Sequence, residues 1–222
     1  MLASDHFQED AMDYAFVARG KSGNGFSNEP AASHFLAIPP QDNDMKLSHK
    51  ISKGDWTKQI LAAAESGTPN DNTQGDIVFY VHGFNNSQKE VLLRHRKIRQ
   101  GLEANGFDGV VVSFDWPSAD SALNYLEDRM DAKLSAFRLV KDGVATFAAL
   151  QRPDCKIDLH ILAHSMGCYV VREAFDDADD RSAIASRSWS VSQVMLVAAD
   201  LSVASLEPGN PKSSSLYRHC VR

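Results

Sequence analysis

The chain has 222 residues, 43% of them hydrophobic, and sets 29 acidic against 23 basic side chains for a formal charge of -6. That length buries one good-sized core and demands no second, so residues 1–222 are read as a single domain. The charges are spread along the chain and give no electrostatic reason to expect a nucleic acid or an anionic membrane as partner. No stretch approaches about 18 uninterrupted apolar residues, which excludes a bilayer-spanning helix. Residues 1–10 hold no basic segment followed by an apolar one, so no secretory signal is visible and a cytoplasmic location is expected.

Residues 14–18 and 34–38 are candidate strands, and a short helix is expected to begin near Asp55. Residues 20–30 and 65–75 are rich in Gly, Ser, Asn and Pro and read as loops, one of which is expected to form a mobile edge of the active site. From residue 76 onward, apolar runs alternate with amphipathic stretches. Residues 76–82 (DIVFYVH), 109–115 (GVVVSFD), 157–163 (IDLHILA) and 191–198 (VSQVMLVA) suit buried strands at the centre of a sheet.

Between the first two runs, residues 87–105 place Val91, Leu92, Ile98 and Leu102 among basic residues, and Asn105-Gly106 supplies a helix stop. Arg94, Arg96, Lys97 and Arg99 read as the solvated face of that helix. Over residues 121–150, Leu123, Leu126, Met130, Leu134, Phe137, Val140, Val144 and Phe147 recur every three or four positions, giving one long helix or a helix pair, with Gly143 weakening the case for an unbroken one. The alternation as a whole predicts an α/β fold: a mostly parallel central sheet flanked by helices.

Cys155, Cys168 and Cys220 are too widely spaced for a zinc or CxxC pattern and read as reduced thiols. His160 and His164 are four apart on a strand and turn, which does not make a zinc pair. The chemistry visible in the chain calls for no metal and no cofactor.

That chemistry centres on Ala163-His164-Ser165-Met166-Gly167. A serine hydroxyl is a weak nucleophile, so a protein that uses one must expose it, set a base beside it and stabilise the oxyanion that attack creates. Here a strand leads into Ser165, and a helix with Val170, Val171, Ala174, Phe175 and Ala178 on its buried face leads out. The positions two before and two after the serine approach one another in such a turn and must be small, and they are Ala163 and Gly167. Directly after the strand at 76–82 comes His82-Gly83-Phe84-Asn85-Asn86. A backbone N–H of this loop, from Phe84 or Gly83, is placed to join that of Met166 as an oxyanion hole.

These segments, with Phe114-Asp115-Trp116-Pro117-Ser118 and Ala198-Ala199-Asp200, resemble the bacterial α/β-hydrolases of unknown function over residues 76–200. The resemblance implies an α/β-hydrolase fold and an esterase-like or lipase-like serine hydrolase, acting on a small-molecule ester or transferring its acyl group. In that fold the acid and the histidine follow the nucleophile in the chain. Asp200 is the candidate acid, with capping of the next helix or lining of the pocket as its other reading. Asp115 precedes the nucleophile and reads as a pocket-wall or structural residue. His219 is the one histidine after Ser165 and the candidate base that the chain itself offers. The resemblance implies that the histidine comes later, beyond residue 222, and Val221-Arg222 reads as the start of a strand. The chain is therefore expected to be a C-terminal truncation lacking its last strands. The alternative function is a hydrolase-like binding or interaction domain without turnover.

Overall fold

The computed structural model describes residues 11–66, 75–118, 125–150, 157–185 and 189–221. Four of its strands are the four apolar runs: β4 (Asp76–Val81), β5 (Val110–Asp115), β6 (Asp158–His164) and β7 (Gln193–Val197). They pair in parallel, with β4 between β5 and β6 and β7 outside β6. Parallel neighbours need long crossovers, and helices supply them. α2 (Gln88–Glu103) joins β4 to β5, and α5 (Met166–Asp179) with the short α6 (Ser182–Ala185) lies between β6 and β7. Between β5 and β6 run α3 (Tyr125–Arg138), a π-helical segment (Leu139–Val144) and α4 (Ala145–Ala148).

β4 and β5 are covered on both faces and are apolar at nearly every position, whereas β6 buries alternate residues and β7 leaves Met195 and Val197 exposed. Ile77, Phe79 and Val81 of β4 pack on one face with Trp56, Phe147, Val171 and Phe175. Val78 and Tyr80 pack on the other with Val91 and Leu92 of α2. α2 starts at a capping box, Ser87 Oγ accepting from the Glu90 N–H at 3.2 Å while the Ser87 N–H donates to Glu90 Oε2 at 2.8 Å.

Three N-terminal strands extend the sheet: β1 (Asp13–Ser22), β2 (Gly25–Ile38) and the short β3 (Lys50–Ile51), followed by α1 (Lys53–Ser66). The full order is β3-β2-β1-β5-β4-β6-β7. β1 is parallel to β5, whereas β2 is antiparallel to both of its neighbours. The structure corrects the loop expected at residues 20–30, because that stretch is the arm of the β1–β2 ribbon, turning at Gly23 with φ +53°. Polar composition misled there because the ribbon's arm leaves the sheet and has only one strand as partner. Of the other expected loop, residues 67–74 lie outside the described residues.

Two further expectations need correction. Met130 and Leu134 are solvent-exposed, and α3 instead buries Ala132, Ser135 and Ala136. A π-helical turn holds an extra residue, so a repeat extrapolated back from Val140, Val144 and Phe147 through Leu139–Val144 arrives on the wrong face. Arg96 and Arg99 are not simply solvated either. They reach Asp13 Oδ2 at 2.7 Å and Oδ1 at 3.0 Å, and His95 approaches Oδ1 at 3.3 Å, where Asp13 is fully buried at the start of β1. Burial opposes ionisation of Asp13, but His95, Arg96 and Arg99 outweigh it and hold the carboxyl below its usual range.

After β7 the chain makes two 3-10 turns (Val203–Leu206 and Pro211–Ser213) and α7 (Ser214–His219). It then meets Val191 in a parallel bridge at Cys220, with Val221 N–H donating to Val191 O at 3.0 Å. No helix among the described residues is long and apolar enough to cross a membrane.

Candidate active site

Ser165 stands between β6 and α5 with φ +53° and ψ -123°. This is a region that L residues avoid because of their Cβ. Neighbouring backbone holds it there. Its N–H donates to Val197 O at 3.0 Å, and its carbonyl accepts from Asp200 N at 3.1 Å and Cys168 N at 3.0 Å. The chain between Val197 and Asp200 can grip the serine at both ends because Ala198 also takes a positive φ, +47°.

The turn is possible only because its neighbours are small. A Cβ on Gly167 would lie 2.5 Å from the carbonyl oxygens of both Val81 and His82. α5 therefore starts directly against the end of β4. On Gly83 a Cβ would meet His164 Nδ1, His164 O and Ser165 Cβ, each at 3.0 Å. The Gly83-Phe84 peptide thus lies beside the serine, and the N-terminus of α5, with the Met166 N–H, begins at it.

His82 holds this loop from below. Its Nδ1–H donates to Gly83 O at 2.8 Å, and Asn86 Nδ2 donates to the same oxygen at 2.9 Å. In a trans peptide the N–H points opposite the carbonyl, so pinning Gly83 O on that side turns the Phe84 N–H to the other. His82 is in turn stacked on Trp116, ring centroids 5.2 Å apart, and its Nε2 is 3.1 Å from Asp115 Oδ1. Arg19 of β1 grips Asp115 with two N–H groups at 2.9 and 3.0 Å, all three side chains being buried. Burial works against the Asp115 charge, but Arg19 and His82 prevail and hold its carboxyl below the usual range. Asp115 is thus an anchor beneath the loop.

Asp200 follows β7, the strand beside β6, so its backbone meets Ser165 and its side chain lines a cleft of about 420 Å³. The helix-capping alternative falls to Ser202, whose side chain accepts from Ser205 N. Sequence reasoning missed the other walls of this cleft, among them Arg129, Arg172 and Lys212. Arg172 lies seven residues after Ser165 on one helix, a spacing of two turns that was there to be read.

His219 is not at the site. Its Nε2 is 2.7 Å from Asp179 Oδ1, its Nδ1–H donates to Trp189 O at 2.9 Å, and its ring stacks on Trp189. Asp179 ends α5 and Ser165 precedes it, which puts the two ends of the helix ~20 Å apart. The expectation of His219 as the base is corrected by that separation, and the ring instead ties α7 to α5. Cys168 points beneath the turn, and burial pushes its thiol up to about 11. Cys155 lies outside the described residues. Among the described residues no group of His, Cys, Asp and Glu is arranged to hold a metal.

Residues 63–212 match the family described as alpha/beta hydrolase of unknown function, DUF900. The chain belongs to that family. The matched stretch runs from α1 to the second 3-10 turn and takes in β4, both walls of the serine turn and the Asp200 cleft, so this member of the alpha/beta hydrolases carries the site within its family region. No curated protein and no solved structure matches it.

Proposed function

We propose that this DUF900 chain is a serine hydrolase that cleaves carboxylic esters through an acyl-enzyme on Ser165. The observation that carries the reading is the backbone of Ser165, a non-glycine residue held at φ +53° and ψ -123° where a parallel strand meets a helix. Strain of this kind persists when surrounding structure enforces it, and it gathers at reacting groups. In the reaction Ser165 Oγ attacks the ester carbonyl, the oxyanion is received by the N–H groups of Met166 and Phe84, and the alcohol leaves. Water then releases the acid. Each essential oxyanion donor in such a site contributes about 3 to 4 kcal/mol.

A fluorophosphonate probe tests the nucleophile. It should label Ser165 in the native protein and leave Ser165→Ala untouched, and a chromogenic short-chain ester should be hydrolysed by the first and not the second. A second reading, a hydrolase-like binding domain without turnover, is favoured by one observation: among the described residues no imidazole hydrogen-bonds the Ser165 hydroxyl, and His219 is engaged with Asp179. Absence of both labelling and turnover in well-folded protein would select it.

A further inference from the structure

Three cationic side chains line the cleft that Asp200 connects to Ser165. Arg129 comes from α3, Arg172 from α5 and Lys212 from the 3-10 turn before α7, and the one carboxylate in its wall is that of Asp200. Ser202 and Ser205 complete its polar lining. The two guanidinium groups are held by one ring, their carbons 4.1 and 4.8 Å from the centroid of Tyr169. Such stacking fixes a guanidinium's plane. Arg172 is buried and shares Glu173 with Lys133 at 3.6 Å, so that carboxylate serves two cations. Among the described residues no carboxylate pairs with Lys212.

We propose that this cleft binds an anionic group, a carboxylate or a phosphate, on the substrate whose ester bond Ser165 attacks. Asp200 marks the cleft's near end, since its backbone N–H bonds Ser165 O. Arg172 is two helical turns from Ser165, and helical side chains lean toward the N-terminus. The anion therefore sits roughly 5 to 10 Å from the reacting carbonyl, the length of a chain of several carbons. Positive charges converging in a partly enclosed cleft focus the potential, raising the local concentration of an anionic substrate. The fold accounts for the placement: α3 packs along α5 on the same side of the sheet as the serine turn, and the turns after β7 close the third wall.

The inference rests on the serine-hydrolase reading only for the reaction, so binding and turnover are measured separately. Binding of monomethyl adipate, hexyl phosphate and neutral dimethyl adipate is followed by calorimetry on full-length Ser165→Ala protein. At least one anion should bind about ten-fold more tightly than the neutral diester, and the tighter of the two tells carboxylate from phosphate. Lys212→Gln, an exposed substitution, should reduce that preference about ten-fold, and Lys212→Glu should abolish it. Added salt should weaken anion binding and spare the diester. On the active protein, mono-p-nitrophenyl adipate should be cleaved with a higher kcat/KM than p-nitrophenyl hexanoate, and Lys212→Gln should lower that ratio. Equal binding of diester and anions, or a preference unmoved in both Lys212 variants, overturns the proposal. Anion binding without any turnover supports the cleft and counts against the hydrolase reading alone.

Discussion

Replacing Ser165 by glycine should stabilise the protein relative to replacing it by alanine. Holding a non-glycine residue at φ +53° and ψ -123° costs about 1 to 3 kcal/mol, and alanine retains that cost because it retains the Cβ. Glycine removes it. Against this stand the greater freedom of glycine in the unfolded chain, about 0.4 to 1 kcal/mol, and contacts of the half-buried Cβ, about 0.8 kcal/mol when a full methylene is lost. The balance leaves Ser165→Gly about 1 kcal/mol more stable than Ser165→Ala, or about 2 to 4 °C in Tm for a chain of this size. Calorimetry and urea unfolding of the two variants read this directly. At an unstrained position glycine is the less stable by about 0.5 to 1 kcal/mol. Finding that order would refute the argument that Ser165 stores strain.

Other outcomes follow from neighbouring contacts. Gly167→Ala brings a Cβ to 2.5 Å from two backbone oxygens and should destabilise by about 2 kcal/mol despite alanine's better helix propensity; unchanged urea unfolding would contradict the close approach of α5 to β4. Asp13→Asn should cost about 3 kcal/mol at pH 7 by leaving His95, Arg96 and Arg99 without their buried carboxylate. Because the folded-state pKa of Asp13 is lowered, its contribution is fully present above the unfolded value near about 3.9 and is lost as pH falls through the folded one. The stability gap between wild type and Asp13→Asn should thus shrink as pH falls below about 4, and a widening gap would show the sign to be wrong. Cys168, buried and with its thiol raised to about 11, should resist iodoacetamide at pH 8 in folded protein and react after unfolding, as read by mass spectrometry.

β4 and β5 were legible because they are buried on both faces. Val78, Phe79 and Tyr80, or Val110, Val111 and Val112, leave no alternation to misread. The serine turn was legible because steric crowding forces small residues at fixed offsets, here Ala163 and Gly167. What escaped reading depends on partners distant in the chain. Arg19 looks like an exposed residue until β1 comes to lie beside β5 and brings it against Asp115, 96 positions away. His95, Arg96 and Arg99 share a helical face whose spacing was visible, but Asp13 as their common target was not. His219 was singled out by chain order alone, and chain order does not say at which end of α5 a following helix docks.

Among the described residues the three non-glycine residues at positive φ, Asn85, Ser165 and Ala198, follow β4, β6 and β7, three adjacent strands, at the same end of the sheet. One strained residue is explained by one local turn; three at a single edge need a common cause. Each lets the chain bend back over the strand end instead of running straight into its crossover. After β4 the bend carries Gly83 against Ser165, and after β7 it carries Asp200 N to the serine carbonyl. Rigid supports oppose relaxation on both sides: the buried Arg19, Asp115 and His82 network beneath the first bend, and the Val197 and Asp200 hydrogen bonds around the second. Relieving the bend at Ala198 with glycine should therefore stabilise the fold much as Ser165→Gly does, while loosening the grip on the serine. Ala198→Gly should raise Tm and slow fluorophosphonate labelling of Ser165. Faster labelling in that variant would mean that the bend restrains the serine instead of presenting it.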